Sequence, residues 1–296
     1  MNTGVNTATA GGSTDPTGAD AVYAADMNAL QYWLGADKAE LEQLLVPIRG
    51  ARVSPQQAYA LLKEAWVQLR ELRALEPQLV QLQELKPETV ALLEEAFAHL
   101  KTDGALSLEA ADEAFDRAAQ ACLGGTCPAA ASAAVIGAQA QLALARRDHY
   151  RAAELYARAA ACEGLETSLR WHYEFRRAHA LAERGREFLD LGALEQAMGL
   201  FETQVQPLAP REARPADWAR SQHAWGDTLA MLGLQQRGTR LLEQAIVQYQ
   251  TALGERTREA TPMDWATTQN SLGHVMGTLA QRHADVEMLG QAIEAF

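Results

Sequence analysis

The chain has 296 residues, 48% of them hydrophobic, enough to bury a sizeable interior as one long array or two regions. A formal net charge of −12 and a pI near 5.1 argue against a generic binder of nucleic-acid backbone, which needs a basic footprint. Ala, Leu, Glu, Gln and Arg dominate and no stretch alternates as a strand would, so the fold expected is all-α.

Residues 1–20 are mostly Thr, Gly, Ala, Asn and Ser, too poor in large apolar groups to offset ordering entropy, and a disordered tail is expected. They contain no Lys, Arg or apolar core, so no secretory signal is read there. From Ala21 to about Gly50 come short helical pieces with Leu41, Leu44, Leu45 and Ile48 at helical spacing. Ser54-Pro55 then offers an N-cap followed by proline at the first helical position. The next helix carries Leu62, Ala65, Leu69, Leu72, Leu75, Leu79 and Leu82 at steps of three and four, interrupted at Glu76-Pro77. That stripe suits packing within an N-terminal helical bundle better than a coiled-coil seam, because proline breaks it early. Lys86-Pro87 opens a further helix, Asp103-Gly104 stops it and Ser107 opens another.

Residues 21–104 thus form an N-terminal helical region of unknown type, and 105–296 a series of helix pairs. Ala129 to Ala145 is the most apolar run, but Ser132, Gln139 and Gln141 interrupt it, which indicates a buried helix and not a membrane span. Helix pairs are expected near 130–163, 167–206, 216–254 and 262–296, the last apparently cut short. Cys122 and Cys127 flank the Gly124-Gly125 loop, and Cys162 ends a later helix. Their spacing lacks the geometry of a zinc knuckle, so buried or incidental thiols are favoured over a redox pair or metal site.

The C-terminal third says nearly the same thing twice. Pro215-Ala-Asp-Trp218-Ala-Arg-Ser-Gln222 returns as Pro262-Met-Asp-Trp265-Ala-Thr-Thr-Gln269, and Leu241-Leu-Glu-Gln-Ala245 as Met288-Leu-Gly-Gln-Ala292. A fixed period of this length means stacked supersecondary units. An earlier copy is expected in Trp171 with Leu194-Glu-Gln-Ala197, with one register slip placed in the loop between its helices. Matching Leu181 to Leu232 is the alternative register.

These units resemble tetratricopeptide repeats, on Leu272-Gly273, Ala292 and Phe296, on Gly226, Ala245 and Tyr249, and on Ala152 and Tyr156. They depart from that family in their length of about 47 residues, and the Pro-x-Asp-Trp opening looks like a long-repeat bacterial branch. The resemblance covers 167–296 well, 105–166 weakly and nothing earlier. It implies a right-handed α-solenoid in which Trp171, Trp218, Trp265, Gly226, Gly273, Ala197, Ala245 and Ala292 hold neighbouring helices together. It also implies a groove on the first helices. Carried onto this sequence, the groove positions are Thr267, Asn270, His274 and Thr278; then Arg220, His223, Asp227 and Met231; then Tyr173, Arg176, Ala180 and Arg184. Arg176, Arg184 and Arg220 would suit a carboxylate-bearing peptide, though ordinary solvated helix-face charges explain them equally well.

No HExxH, phosphate loop, GxSxG or GxGxxG occurs. His172 and His179 share a helix face without a third ligand, so neither metal nor cofactor is expected, and no catalysis. The expectation is a cytoplasmic, non-enzymatic scaffold that binds a protein or peptide, with no nucleic-acid or membrane partner. The alternative is the sensor or oligomerisation arm of a larger bacterial signalling or effector protein, self-associating through its N-terminal helices or its uncapped C-terminal end.

Overall fold

The computed structural model describes residues 31–32, 34–36, 38–49, 53–82, 85–101, 106–123, 127–284 and 286–295. The expectations for residues 1–20, Asp103-Gly104, Gly124-Gly125 and Phe296 lie outside these. Among the described residues every regular element is helical, and no helix is long and apolar enough to cross a membrane.

The N-terminal helices are α1 (Lys38–Arg49), α2 (Pro55–Ala74), the short α3 (Glu76–Val80) and α4 (Pro87–Ala98). Ser54 opens α2 with a capping box: its hydroxyl accepts from the Gln57 amide at 3.3 Å, while the Gln57 side chain accepts from the Ser54 amide at 2.8 Å. Leu75 breaks the run before Pro77, and Pro87 takes the first position of α4. The leucine stripe is spent inside the chain: Leu62, Ala65, Leu69 and Leu72 are fully buried, and each such leucine contributes roughly 1.5–3 kcal/mol. Arg73 fastens this region, donating to Glu40 of α1 and to the Leu100 carbonyl, both at 2.5 Å, and stacking on Trp66.

The remaining helices are α5 (Leu108–Leu123), α6 (Ala129–Ala145), α7 (His149–Ala160), α8 (Thr167–Phe188), α9 (Leu191–Leu200), α10 (Pro215–Gln235), α11 (Arg240–Leu253), α12 (Pro262–His283) and α13 (Val286–Ala295). Each packs on its neighbours in sequence, and α8 touches α10 as α10 touches α12. The exception to this order is α2, which passes over α4 and α5 to lie on α6. One apolar core therefore runs from Ala36 to Ala197 without a break at residue 105. The sequence-based boundary there does not coincide with a gap in the packing.

Close helix contact follows from glycine. A Cβ on Gly226 would sit 2.8 Å from the Tyr249 ring, and one on Gly233 2.9 Å from Leu242. Gly185 meets Leu194 in the same way across the corner between α8 and α9. The step from Gly185 to Leu194 equals that from Gly233 to Leu242, so the two corners are in the same register. The slip expected in the loop between α8 and α9 is absent from it. Instead α9 runs into a π-helical turn, Phe201–Val205, followed by a short helical turn, Gln206–Leu208. A π turn accommodates one extra residue within a helix. The first positions of α8 and α10, Thr167 and Pro215, are accordingly 48 apart, and those of α10 and α12, Pro215 and Pro262, are 47 apart.

This shift corrects the place of Trp171. It occupies the register of Ala219, one position past that of Trp218, and its surroundings differ accordingly. Trp171 is buried with Phe201, Val205 and Ala209, and its indole N–H donates to Ser221 at 3.1 Å. Trp218 and Trp265 are half-buried and equivalent, each covered by the arginine seven positions before it, Arg211 or Arg258. Ala197, Ala245 and Ala292 are buried, each where the second helix of its pair meets the first, and Gly273 is buried on α12.

Candidate functional site

The register correction also moves the expected groove residues of α8. With α8 displaced by one position, His179 and Glu183 correspond to Asp227 and Met231 of α10, and these to His274 and Thr278 of α12. The structure brings most of this set together. A cleft of about 270 Å3 is lined by His179, Glu183, Asp227, Met231 and His274, among others, with Ala182, Ala230 and Val275 supplying its apolar surface.

The polar groups in this cleft and the neighbouring His223 are partly engaged with one another. Tyr249 donates its hydroxyl to Asp227 at 2.7 Å, and burial together with that carboxylate raises the phenol's pKa well above its ordinary value. His223 Nε2 lies 3.3 Å from the other oxygen of Asp227, and the ring packs on Tyr249. Burial pushes the His223 pKa down despite the carboxylate, so the imidazole is neutral at pH 7. Its Nδ1 is buried without a hydrogen-bond partner. Glu183 accepts from Arg186 and lies 4.0 Å from His179, whose ring stacks on Phe175.

The remaining expected groove residues of α8 lie elsewhere. Tyr173 is buried, its ring against Gly137 of α6 and alongside Tyr156, and desolvation drives its pKa up to about 12. Ala180 is buried too. Arg176 gives two hydrogen bonds to the Tyr156 hydroxyl, at 2.9 and 3.2 Å. Arg184 pairs with Asp190 at 3.3 Å and stacks on Phe188 and Tyr150. The arginines expected to form one carboxylate-binding row therefore do not: Arg176 and Arg184 are held by separate partners, and Arg220 is an exposed residue of α10. On α12, Thr267 and Asn270 are exposed, and the hydroxyls of Thr267 and Thr278 bond back to carbonyls of their own helix.

Sequence reasoning weighed His179 only as half of a histidine pair, and it missed Glu183 and Gly137. The signal for His179 and Glu183 was present in the equal Gly185–Leu194 and Gly233–Leu242 steps, which outrank a single shared tryptophan. A second cluster was not anticipated at all. Arg147, at a positive φ of 57°, is buried against Glu187 beside His149, whose Nε2 lies 3.2 Å from that carboxylate. His149 Nδ1 donates to the Arg147 carbonyl at 3.0 Å, and burial and Arg147 push the imidazole pKa down to about 3. Among the described residues no group of three or more His, Cys, Asp or Glu is arranged to hold a metal ion. Cys122, Cys127 and Cys162 are free thiols, and burial and its neighbour Cys127 raise the Cys122 pKa to about 12, which leaves it protonated and unreactive. No protein-family model matches the chain, and no curated protein matches it.

Proposed function

We propose that this chain is a non-enzymatic, cytoplasmic protein-interaction scaffold, a right-handed α-solenoid of long tetratricopeptide-like repeats, and that it binds a protein or peptide on the face formed by α8, α10 and α12. The observation that carries the reading is the cleft at His179, Asp227, Met231 and His274. Three successive first helices contribute one rung each to a single open surface, which is how a solenoid presents a binding face. The surface mixes apolar area with imidazole rings and internally paired carboxylates, so the partner expected there is an amphipathic segment and not a purely acidic peptide. An array of stacked pairs also rationalises the glycine contacts, which serve packing.

The experiment is affinity capture from a bacterial lysate with the intact protein and with the double variant Met231→Glu, His274→Glu. The expected result is specific partners lost by the variant while its melting temperature stays within a few degrees. Recovery of the same partners by both proteins would remove the cleft from consideration. The second reading, an oligomerising sensor arm of a larger bacterial protein, has less apolar surface to draw on at the N-terminal helices, because the α2 stripe is already buried against α6. Light scattering that finds a strict monomer eliminates it.

A further inference from the structure

A second cavity lies apart from the proposed protein-binding face, between the N-terminal helices and the array. Its volume is about 410 Å3, within the range of roughly 300–1,000 Å3 common for small-molecule sites. Leu75, Leu79 and Leu82 form its surface on the α3 side, and Ala134 and Ala138 of α6 supply small residues from the array. The lining contains one guanidinium, Arg176, and no carboxylate.

Arg176 is half-buried, and among the described residues it forms no ion pair within 4.0 Å. Glu64 and Glu183 border a neighbouring cleft that Arg176 also reaches, yet neither pairs with it. The Tyr156 hydroxyl takes the Nε–H and one Nη2–H, and the ring stacks beneath the guanidinium at 5.4 Å. A guanidinium has five N–H groups, so three remain, and two of them lie on the edge formed by Nη1 and Nη2, the geometry that grips a carboxylate with two parallel bonds. Tyr156 thus orients the fork and leaves one edge uncommitted. Gln141 brings an amide to the same cavity, and its carbonyl oxygen is buried without a hydrogen-bond partner. A rotated amide would offer its N–H groups there instead. A guanidinium without a counter-ion, in a cavity that sets leucines and alanines against Gln78, Gln141 and His172, is an arrangement that a ligand with one anionic end and an apolar body completes.

We propose that this cavity is a binding site for a small monocarboxylate with an apolar body, its carboxylate on Arg176 and its hydrocarbon part against Leu75, Leu79 and Leu82. The ligand would bridge α3 to α8 and so stiffen the junction between the N-terminal helices and the array. This inference stands on residues outside the α8–α10–α12 cleft and does not depend on the scaffold reading.

The test is calorimetric titration of the full chain with octanoate, and with octylammonium and 1-octanol as probes of the same apolar body. The expected result is saturable one-to-one binding of octanoate, with the other two at least tenfold weaker. Arg176→Gln should weaken octanoate at least tenfold. Gln78→Trp, at an exposed position on the lining, should block the cavity with the fold intact by circular dichroism. Arg220→Gln should leave the affinity unchanged. Absence of saturable heat, equal affinity for the three probes, or octanoate binding that survives both Arg176→Gln and Gln78→Trp would overturn the proposal.

Discussion

Helices α6 and α12 stand at opposite ends of the run of helix pairs and differ in how they are clothed. Residues of α6 are buried around nearly its whole circumference, under α2, α5, α7 and α8. On α12 the buried residues, among them Thr268, Leu272, Val275 and Leu279, face α10, α11 and α13, and the opposite side is open. Their sequences match: α6 carries no charged residue, whereas α12 alternates apolar positions with Thr, Asn, His and Gln. The difference teaches that α2 completes one end of the array from within the same chain. Among the described residues the face formed by α8, α10 and α12 has no such cover.

The largest expected effect breaks this contrast most directly. Leu69→Ala in α2 should cost about 2–5 kcal/mol in denaturant unfolding, since the residue is fully buried, whereas Met231→Ala on the open face should cost less than about 1 kcal/mol. Comparable losses would mean that α2 is not structurally integral. Gly226→Ala should cost about 1–3 kcal/mol because its Cβ would drive into the buried Tyr249 ring. Gly290→Ala on α13 meets nothing within 4 Å and should stabilise by up to about 1 kcal/mol. Equal signs for the two glycines would contradict the packing described for α10 and α11.

Acid should weaken the α6–α8 region through His149. Its folded pKa, about 3, lies below the ordinary value of 6.5, so the unfolded chain takes up the proton first. Stability from this group is present above pH 6.5 and falls as pH drops towards 3, by roughly 1 kcal/mol per pH unit. His149→Gln should flatten that dependence between pH 6.5 and 5, as urea midpoints will register; an unchanged slope assigns the acid sensitivity elsewhere. Ser54→Ala should cost about 1 kcal/mol from loss of the α2 capping box, read by thermal unfolding.

Helix starts were legible wherever the chain carries a local marker. Ser54-Pro55, Lys86-Pro87 and Ser107 are read by backbone chemistry alone, and Ser107 does accept from the Ala110 amide. The C-terminal pairs were equally plain because the chain repeats itself. The docking of α2 on α6 was not legible, since a leucine stripe announces burial but not its partner. The face of α8 was misjudged by one position because Trp171 resembles Trp218 in type, while the π turn that shifts the phase has no sequence marker. One position on a helix is a rotation of about 100°, enough to exchange a buried Tyr173 for an exposed His172.

That π turn carries a consequence for how the chain can change length. A residue housed within a helix as a local widening leaves the corners on either side in phase, so Gly185 and Gly233 keep the same opposing leucines although the spacing between units differs. Removing one of the exposed positions Glu202, Thr203 or Gln204 would let the segment relax to an ordinary α-helical pitch and bring the unit to the 47-residue length of its successor. A single-residue change in length would then be absorbed at this turn, with the helix pairs on either side keeping their packing.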